Sequence, residues 1–527
     1  MLLTDQRSSI LRSERIAGGI LPKVLSSFDM VAIFIAIVLW IPNSAVVAGA
    51  GAVAFIYWGL GFITCLIPGA IVTGQLGMMF PGEGSIYVWT TKAFGKFVGF
   101  LGGFCAWWPG ILVMISAGDV AVIFIQNLGR SYGLPLMADS GSQGLGIILV
   151  ITISFLLSIL RFRLTQNLVN MIFLTYGSVI VLIGVAGLVW LMTGHHSYTD
   201  FSLQKGQWGP NGSNLTFYGT VILALLGIEV PLNMGVEIKD ARSITRYLLW
   251  GSLVVMVAYL IVAFGVMIAV PAKSNDPNMV IQTNPTAVVA AILNGFGPLG
   301  KILATVANVF LIGYFVFVCA VYNYSYARLL FVSGLDRRLP IAISKINANK
   351  VPWIAVLAQS ALAGLLTAFI FILPNAANNM YQILLAAATI FWSMSMVFLF
   401  IDIITIRRKF RGVFARVRLA PDWVFTLCAI VGTIANGVGI VVIFTAPWTN
   451  SAQQPPLTTG QCKYLQHVSH CGPPSAQQPP LTTGQWDAWM VGITIVALIV
   501  AVTVFFIGQQ AIRKGMSDEE LIAEVTR

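Results

Sequence analysis

The chain has 527 residues, of which 57% are hydrophobic and only 9% charged, against about 25% charged in a soluble domain. Apolar runs long enough to cross a bilayer recur from end to end, which excludes a string of soluble domains and predicts an all-α polytopic membrane protein. The net charge of +11 sits in clusters at the ends of those runs, so it reads as membrane orientation and no nucleic-acid partner is expected.

A tail at 1–27 carries no signal-peptide cleavage pattern. Twelve apolar segments follow, at 28–50, 53–79, 97–127, 145–160, 166–193, 216–237, 245–270, 299–332, 351–373, 380–405, 422–446 and 487–509. With the first segment entered from inside, only Arg130, Lys205, Lys273, Lys301 and Lys463 of the 30 Lys and Arg fall on the far side. That asymmetry predicts both termini on the cytoplasmic side.

Segment one contains "IAIVLWIPNSAVVAGAG", Ile35 to Gly51. Pro42 removes a backbone donor and disfavours helix at Ile41. Segment six contains "LALLGIEVPLNMGVEIKD", Leu223 to Asp240, with Gly227, Glu229 and Pro231 close together. In lipid a broken helix survives only where it lines a cavity or is buried by protein. Breaks in spans 1 and 6 are five segments apart, which fits two inverted five-helix repeats and points to a transporter binding site at the breaks.

The candidate substrate contacts are Trp40, Ile41, Pro42, Asn43 and Ser44, with Leu226, Gly227 and Ile228. Free N–H groups starting the outer half of span one suit a carboxylate. Unpaired carbonyls ending the half helices suit an ammonium. The competing reading makes Pro42 a simple kink, and Asn43 and Ser44 ordinary interhelical hydrogen-bonding residues. Glu229 is the proton-coupling candidate, because burial penalises a charged carboxylate and intramembrane acids are functional by default; a structural cap is the alternative. Glu237, beside Lys239, reads as an ion pair or inner gate. Trp107 is a further substrate candidate, with packing as the stronger alternative, and Asp119 in span three is left open between recognition and a structural role. Cys65, Cys105, Cys319 and Cys428 lie in spans as small apolar residues.

The last external loop holds "CKYLQHVSHC" between two copies of "SAQQPPLTTGQ", starting at Ser451 and Ser475. A Cys462–Cys471 disulfide is expected on the oxidising side, with a Cys/His metal site at His467 and His470 less favoured. All four histidines (His195, His196, His467, His470) fall in outer loops, and no Walker A pattern occurs. Neither an enzyme nor an ATP-driven pump is expected, and no cofactor or metal.

"FPGEGSIYVWTTKAFG" (Phe80 to Gly95), "GIEVPLNMGVEIKD" and "ARLLFVSGLDRRLPIAISKINANKVPWIAVLAQ" (Ala327 to Gln359) resemble, in order, motifs of the amino acid–polyamine–organocation superfamily. Pro42, "GLGFITCLIPGAI" and "LPIAISKINANKVP" are most similar to the bacterial glutamate/GABA antiporters. The resemblance implies a LeuT-type fold: a ten-helix transport core at 28–405, a basic cytoplasmic loop at 406–421, two peripheral helices at 422–509 with a Pro/Gln-rich external loop at 448–486, and a cytoplasmic tail at 510–527. It implies alternating access for an amino acid or related amine in a bacterial inner membrane, by exchange or proton coupling. Sodium-coupled symport of an amino acid or polyamine, or a non-transporting nutrient receptor, are the alternatives. The sequence departs from these relatives in three places. Leu223 stands where many carry an aromatic gate. Span five has Tyr176 and Gly177 where some carry a coupling lysine. The tail is too short for the antiporters' C-terminal plug.

Overall fold

Ser26 begins the first membrane helix as a cap: its hydroxyl accepts from the Asp29 N–H, and Asp29 accepts from the Ser26 N–H. In the computed structural model this helix runs Ser27–Val38, ends at the extended residues Leu39 and Trp40, and restarts as Ile41–Ala48, bent by 42°. Pro42 falls in the first turn of the second piece, where its missing N–H costs nothing. The structure describes residues 10–445, 483–510 and 517–526, apart from 138, 161, 204–207, 213, 273–279, 283–286 and 373–376. The expected Cys462–Cys471 disulfide, and the loop that carries it, lie outside the described residues.

Numbered in chain order, the helices are α1 (Arg12–Ile20), the broken pair α2 and α3, α4 (Val53–Met79), α5 (Ser85–Phe94), α6 (Lys96–Ser131), α7 (Ser140–Ile159), α8 (Phe162–Met192), α9 (Thr216–Ala224), α10 (Arg242–Ala269), α11 (Val288–Leu293), α12 (Pro298–Leu335), α13 (Trp353–Thr367), α14 (Ala377–Lys409), α15 (Arg411–Arg416), α16 (Asp422–Thr445), α17 (Thr483–Gln510) and α18 (Asp518–Thr526). No strand occurs among the described residues. Among the described residues ten helices are long and apolar enough to cross a membrane, and the bent α2–α3 pair makes eleven. Segment six is the one that does not qualify. Its α-helix stops at Ala224, and its second half is two short 3-10 turns, Val230–Asn233 and Gly235–Glu237. The second half of segment six is therefore not an α-helix: Pro231 removes a ladder donor and Gly235 disfavours helical backbone.

The two longest helices, α6 and α12, pack along each other. Gly110 of α6 admits the Tyr326 ring: a Cβ there would lie 2.5 Å from Tyr326 Cγ. α7 and α13 pack on both of these helices and α14 on α6, while α8 and α10 lie against the broken first segment and α4 and α16 against α9. α17 lies outermost, with 22% of its most apolar stretch buried.

At the basic end the two ends of the described chain meet. Arg12 and Arg15 pair with Asp518 at 2.8 and 3.1 Å. Leu521 and Val525 of α18 are fully buried, and Ile346 N–H donates to Val525 O. Asp336, just past α12, accepts from Ser13 N–H, Ser13 Oγ and Tyr87 Oη. Burial nonetheless holds its carboxyl above the usual range.

Candidate functional site

The unwound residues of span one are held by phenols. Tyr259 Oη (α10) donates to Val38 O at 2.6 Å and accepts from Trp40 N–H at 3.0 Å. Tyr176 Oη (α8) donates to Leu39 O and accepts from Ile41 N–H, both at 3.0 Å. Each hydroxyl thus joins the carbonyl end of α2 to the N–H end of α3. Tyr322 Oη caps Ile37 O at 2.7 Å, and Tyr314 Oη lies 3.2 Å from Leu39 O. Ser44 Oγ donates to Tyr259 O at 2.9 Å, which ties α3 to the same helix.

The second break meets the first at Tyr259, whose hydroxyl also lies 3.2 Å from Ala224 O, the end of α9. Gly227 follows at φ +94°, and a Cβ there would lie 2.6 Å from Trp392 Cζ2 and 2.7 Å from Ile37 Cγ2. Both the backbone angle and the space require glycine. Glu229 comes next. It is 1% exposed, and neither carboxylate oxygen has a hydrogen-bond partner. The nearest donor is the Trp392 indole N–H, which faces the carboxylate without reaching hydrogen-bond geometry. Tyr247 and Tyr326, whose hydroxyls are unpartnered too, lie within its electrostatic reach. Buried polar groups are ordinarily satisfied, so these atoms are the candidate contacts for a polar occupant. Aromatic rings connect it to the first break: Trp40 to Tyr322 at 6.1 Å, Tyr322 to Tyr326 at 5.7 Å, Tyr326 to Trp392 at 6.1 Å.

Toward the basic end the site is closed by three buried charges. Arg328 of α12 pairs with Glu83 at 3.2 Å and with Glu237 through its other arm. Glu83 also accepts from Val236 N–H, and Ser85 Oγ donates to Asn233 at 2.6 Å. Val24 and Leu25 N–H groups donate to Glu237 O. The seal therefore joins the chain before α2, the loop before α5, the 3-10 turns and α12. Beyond it lies a cavity of about 570 Å³ lined by Lys23, Lys92, Lys239, Phe80, Val236 and Phe410 among others.

The expected residues are partly assembled. Trp40, Ile41, Pro42 and Ser44 are buried at the first break with Asn43 half-buried, and Leu226, Gly227 and Glu229 are buried at the second with Leu223 half-buried. Three are placed elsewhere. Ile228 packs against Gly69 of α4. Trp107 donates to Gln359 of α13 at 3.1 Å. Lys239 is exposed, and Glu237 takes Arg328 as its partner instead. The N–H groups of Trp40 and Ile41, expected free for a carboxylate, are taken by tyrosines. Asp119 accepts from Gln143 at 2.6 Å, linking α6 to α7. Sequence reasoning missed Arg328 and Glu83; the available signal was an arginine inside an apolar span, which needs a buried acid.

Facing breaks around an unsatisfied carboxylate, inside an all-helical apolar bundle, define a membrane transporter. The chain belongs to the amino acid permease family, whose model matches residues 25–464. It is 25% identical over 374 residues to an uncharacterized transporter of Legionella pneumophila, covering 69% of this chain and 76% of the relative. It is 24% identical to a probable agmatine/putrescine antiporter of Lactococcus lactis, covering 66% and 73%. To a serine/threonine exchanger of Bacillus subtilis it is 25% identical, covering 69% and 77%. The protein is thus an integral, multi-pass transporter of amino acids or amines.

Proposed function

We propose that the protein exchanges amines or amino acids by alternating access at the two breaks, with Glu229 holding a proton or the ammonium of the substrate. The observation that carries this reading is the burial of Glu229, 1% exposed, with no counter-charge paired to it and only the Trp392 indole N–H facing its carboxylate. A bare carboxylate in such a setting is too costly to persist. A proton or a cation therefore occupies it at each stage of the cycle. Recognition is led by the ammonium, because tyrosines hold the N–H groups that would bind a carboxylate. The faces of Trp40, Tyr322, Tyr326 and Trp392 also suit an organic cation. Agmatine and putrescine, in the name of the Lactococcus relative, carry no carboxylate and meet this demand. Serine and threonine, in the name of the Bacillus relative, would place their ammonium there.

This reading takes the chain as twelve crossings of LeuT type, with two inverted five-helix repeats and segment six as the second broken crossing. Both termini are cytoplasmic, in a bacterial inner membrane. Glu237 is then a gate residue of the cytoplasmic seal, and Lys239 stands at its rim. The test is exchange of labelled agmatine, putrescine and serine by proteoliposomes between about pH 5 and 8. Glu229→Gln, which cannot ionise, should flatten the pH dependence and weaken the diamine most. A wild-type pH profile in that variant, with diamine exchange intact, would refute the assignment.

A further inference from the structure

Broken helices in transporters offer carbonyls at the ends of half helices, and a coupling cation is what usually binds them. Here the C-terminal ends of α2 and α9 meet. Their partial negative charges converge on Val38 O and Ala224 O, and the Tyr259 hydroxyl lies between, 2.6 and 3.2 Å from the two oxygens. Tyr259 Oη also accepts the Trp40 N–H, so its lone pairs as well as its proton are engaged. Ile37 O and Leu39 O of the same end are covered by Tyr322, Tyr176 and Tyr314. The Tyr176 and Tyr314 rings stack at 3.5 Å, and Tyr259 stacks on Trp58 at 4.1 Å, which fixes where the hydroxyls point.

We propose that the Tyr259 hydroxyl, supported by those of Tyr176, Tyr314 and Tyr322, takes the place of a coupling metal cation, so that the transport cycle needs no sodium. A phenol proton does here what a cation would do: it presents positive charge to the carbonyls of two half helices and holds the breaks together. It differs from a cation in being covalently tethered, so it cannot leave with the substrate. A sodium gradient then has nothing to act on. The corollary concerns Tyr259→Phe. It keeps the ring and its stacking but strips the proton from Val38 O and Ala224 O, leaving two carbonyls and two helix dipoles facing a gap. That gap is a monovalent-cation site.

This inference rests on the transporter reading for its meaning, but the measurement does not use a substrate. Binding of radioactive sodium to the purified full-length protein, and thermal unfolding in sodium chloride against choline chloride at equal ionic strength, are measured for wild type and Tyr259→Phe. The wild type should bind no sodium saturably and unfold at the same temperature in both salts. Tyr259→Phe should bind sodium saturably and be stabilised by it, since a ligand that binds only the folded state raises its stability. Tyr322→Phe, which bares Ile37 O alone, is the second variant if Tyr259→Phe does not fold, and a weaker sodium response is expected from it. Saturable sodium binding by the wild type would overturn the proposal. So would a folded Tyr259→Phe, or failing that a folded Tyr322→Phe, that binds no sodium. Failure of the amine-exchange reading would leave these results unchanged.

Discussion

Replacing Arg328 by methionine should unlock the basic end of the protein. Arg328, Glu83 and Glu237 are each at most 1% exposed at the side chain, so water contributes little to their stabilisation in the closed form. The guanidinium is shared by two carboxylates. Arg328→Met keeps much of the side-chain volume but leaves both acids buried without it, at a cost of about 3–5 kcal/mol. The cost falls on the closed arrangement, because opening admits water to the acids. At about 1.4 kcal/mol per factor of ten, the closed form should lose between about a hundredfold and a few thousandfold in population. Glu237→Gln is the informative comparison. It leaves one arginine facing one glutamate, a balanced pair, and should cost far less. The assay places a cysteine at Ser325, which is fully buried one turn before Arg328. Its labelling rate with a membrane-impermeant maleimide is then measured in vesicles that expose the basic loops. Labelling should rise at least about tenfold in Arg328→Met and only slightly in Glu237→Gln. Unchanged labelling in Arg328→Met, or equal effects of the two substitutions, would show that the three charges are packing rather than a lock.

Gly227→Ala adds a Cβ against Trp392 and Ile37 and requires a strained backbone angle; a loss of about 1–3 kcal/mol from crowding alone should appear as a lower melting temperature together with loss of exchange. Ser44→Ala removes the hydrogen bond to Tyr259 O and should cost about 1 kcal/mol, read by thermal unfolding, while Pro42→Ala should slow uptake without reducing membrane insertion. At the terminal contact, Asp518→Asn breaks two partly exposed ion pairs and should cost less than about 1 kcal/mol, vanishing in high salt, whereas Leu521→Ala should cost about 2–5 kcal/mol at any salt. Equal salt-insensitive effects would contradict this division.

Much of the site could be read from local chemistry. Pro42 and the Gly227–Glu229–Pro231 cluster announce their breaks because proline, glycine and a carboxylate each violate the rules of a lipid-embedded helix. The 3-10 character of 230–237 was less legible: Val230, Leu232, Met234 and Val236 extend the apolar run of segment six, and apolar content alone does not tell a helix from short turns. The seal was hidden for another reason. Glu83 and Arg328 are 245 residues apart, and no pattern along the chain pairs them; only the packing of α12 against the loop before α5 does. The tyrosines show the same limit. Tyr314 and Tyr322 recur on one face of α12, a spacing that ordinary aromatic packing would also produce. That their hydroxyls meet an opened backbone follows from the position of α2, which sequence periodicity does not specify.

The salt bridges from α1 to Asp518 join positions about five hundred residues apart, and this bears on how the protein is made. Every element of the seal, from Leu25 to Arg328, has left the ribosome long before Asp518 is translated. Until then the first helix has no α18 to grip, and Leu521 and Val525 have not yet covered their neighbours. The newborn transporter therefore inserts with its basic end incompletely latched, and the latch closes only after α17 has been made. A chain ending after α17 would keep the Arg328 seal but lack the Asp518 ion pairs and the apolar cover of Leu521 and Val525.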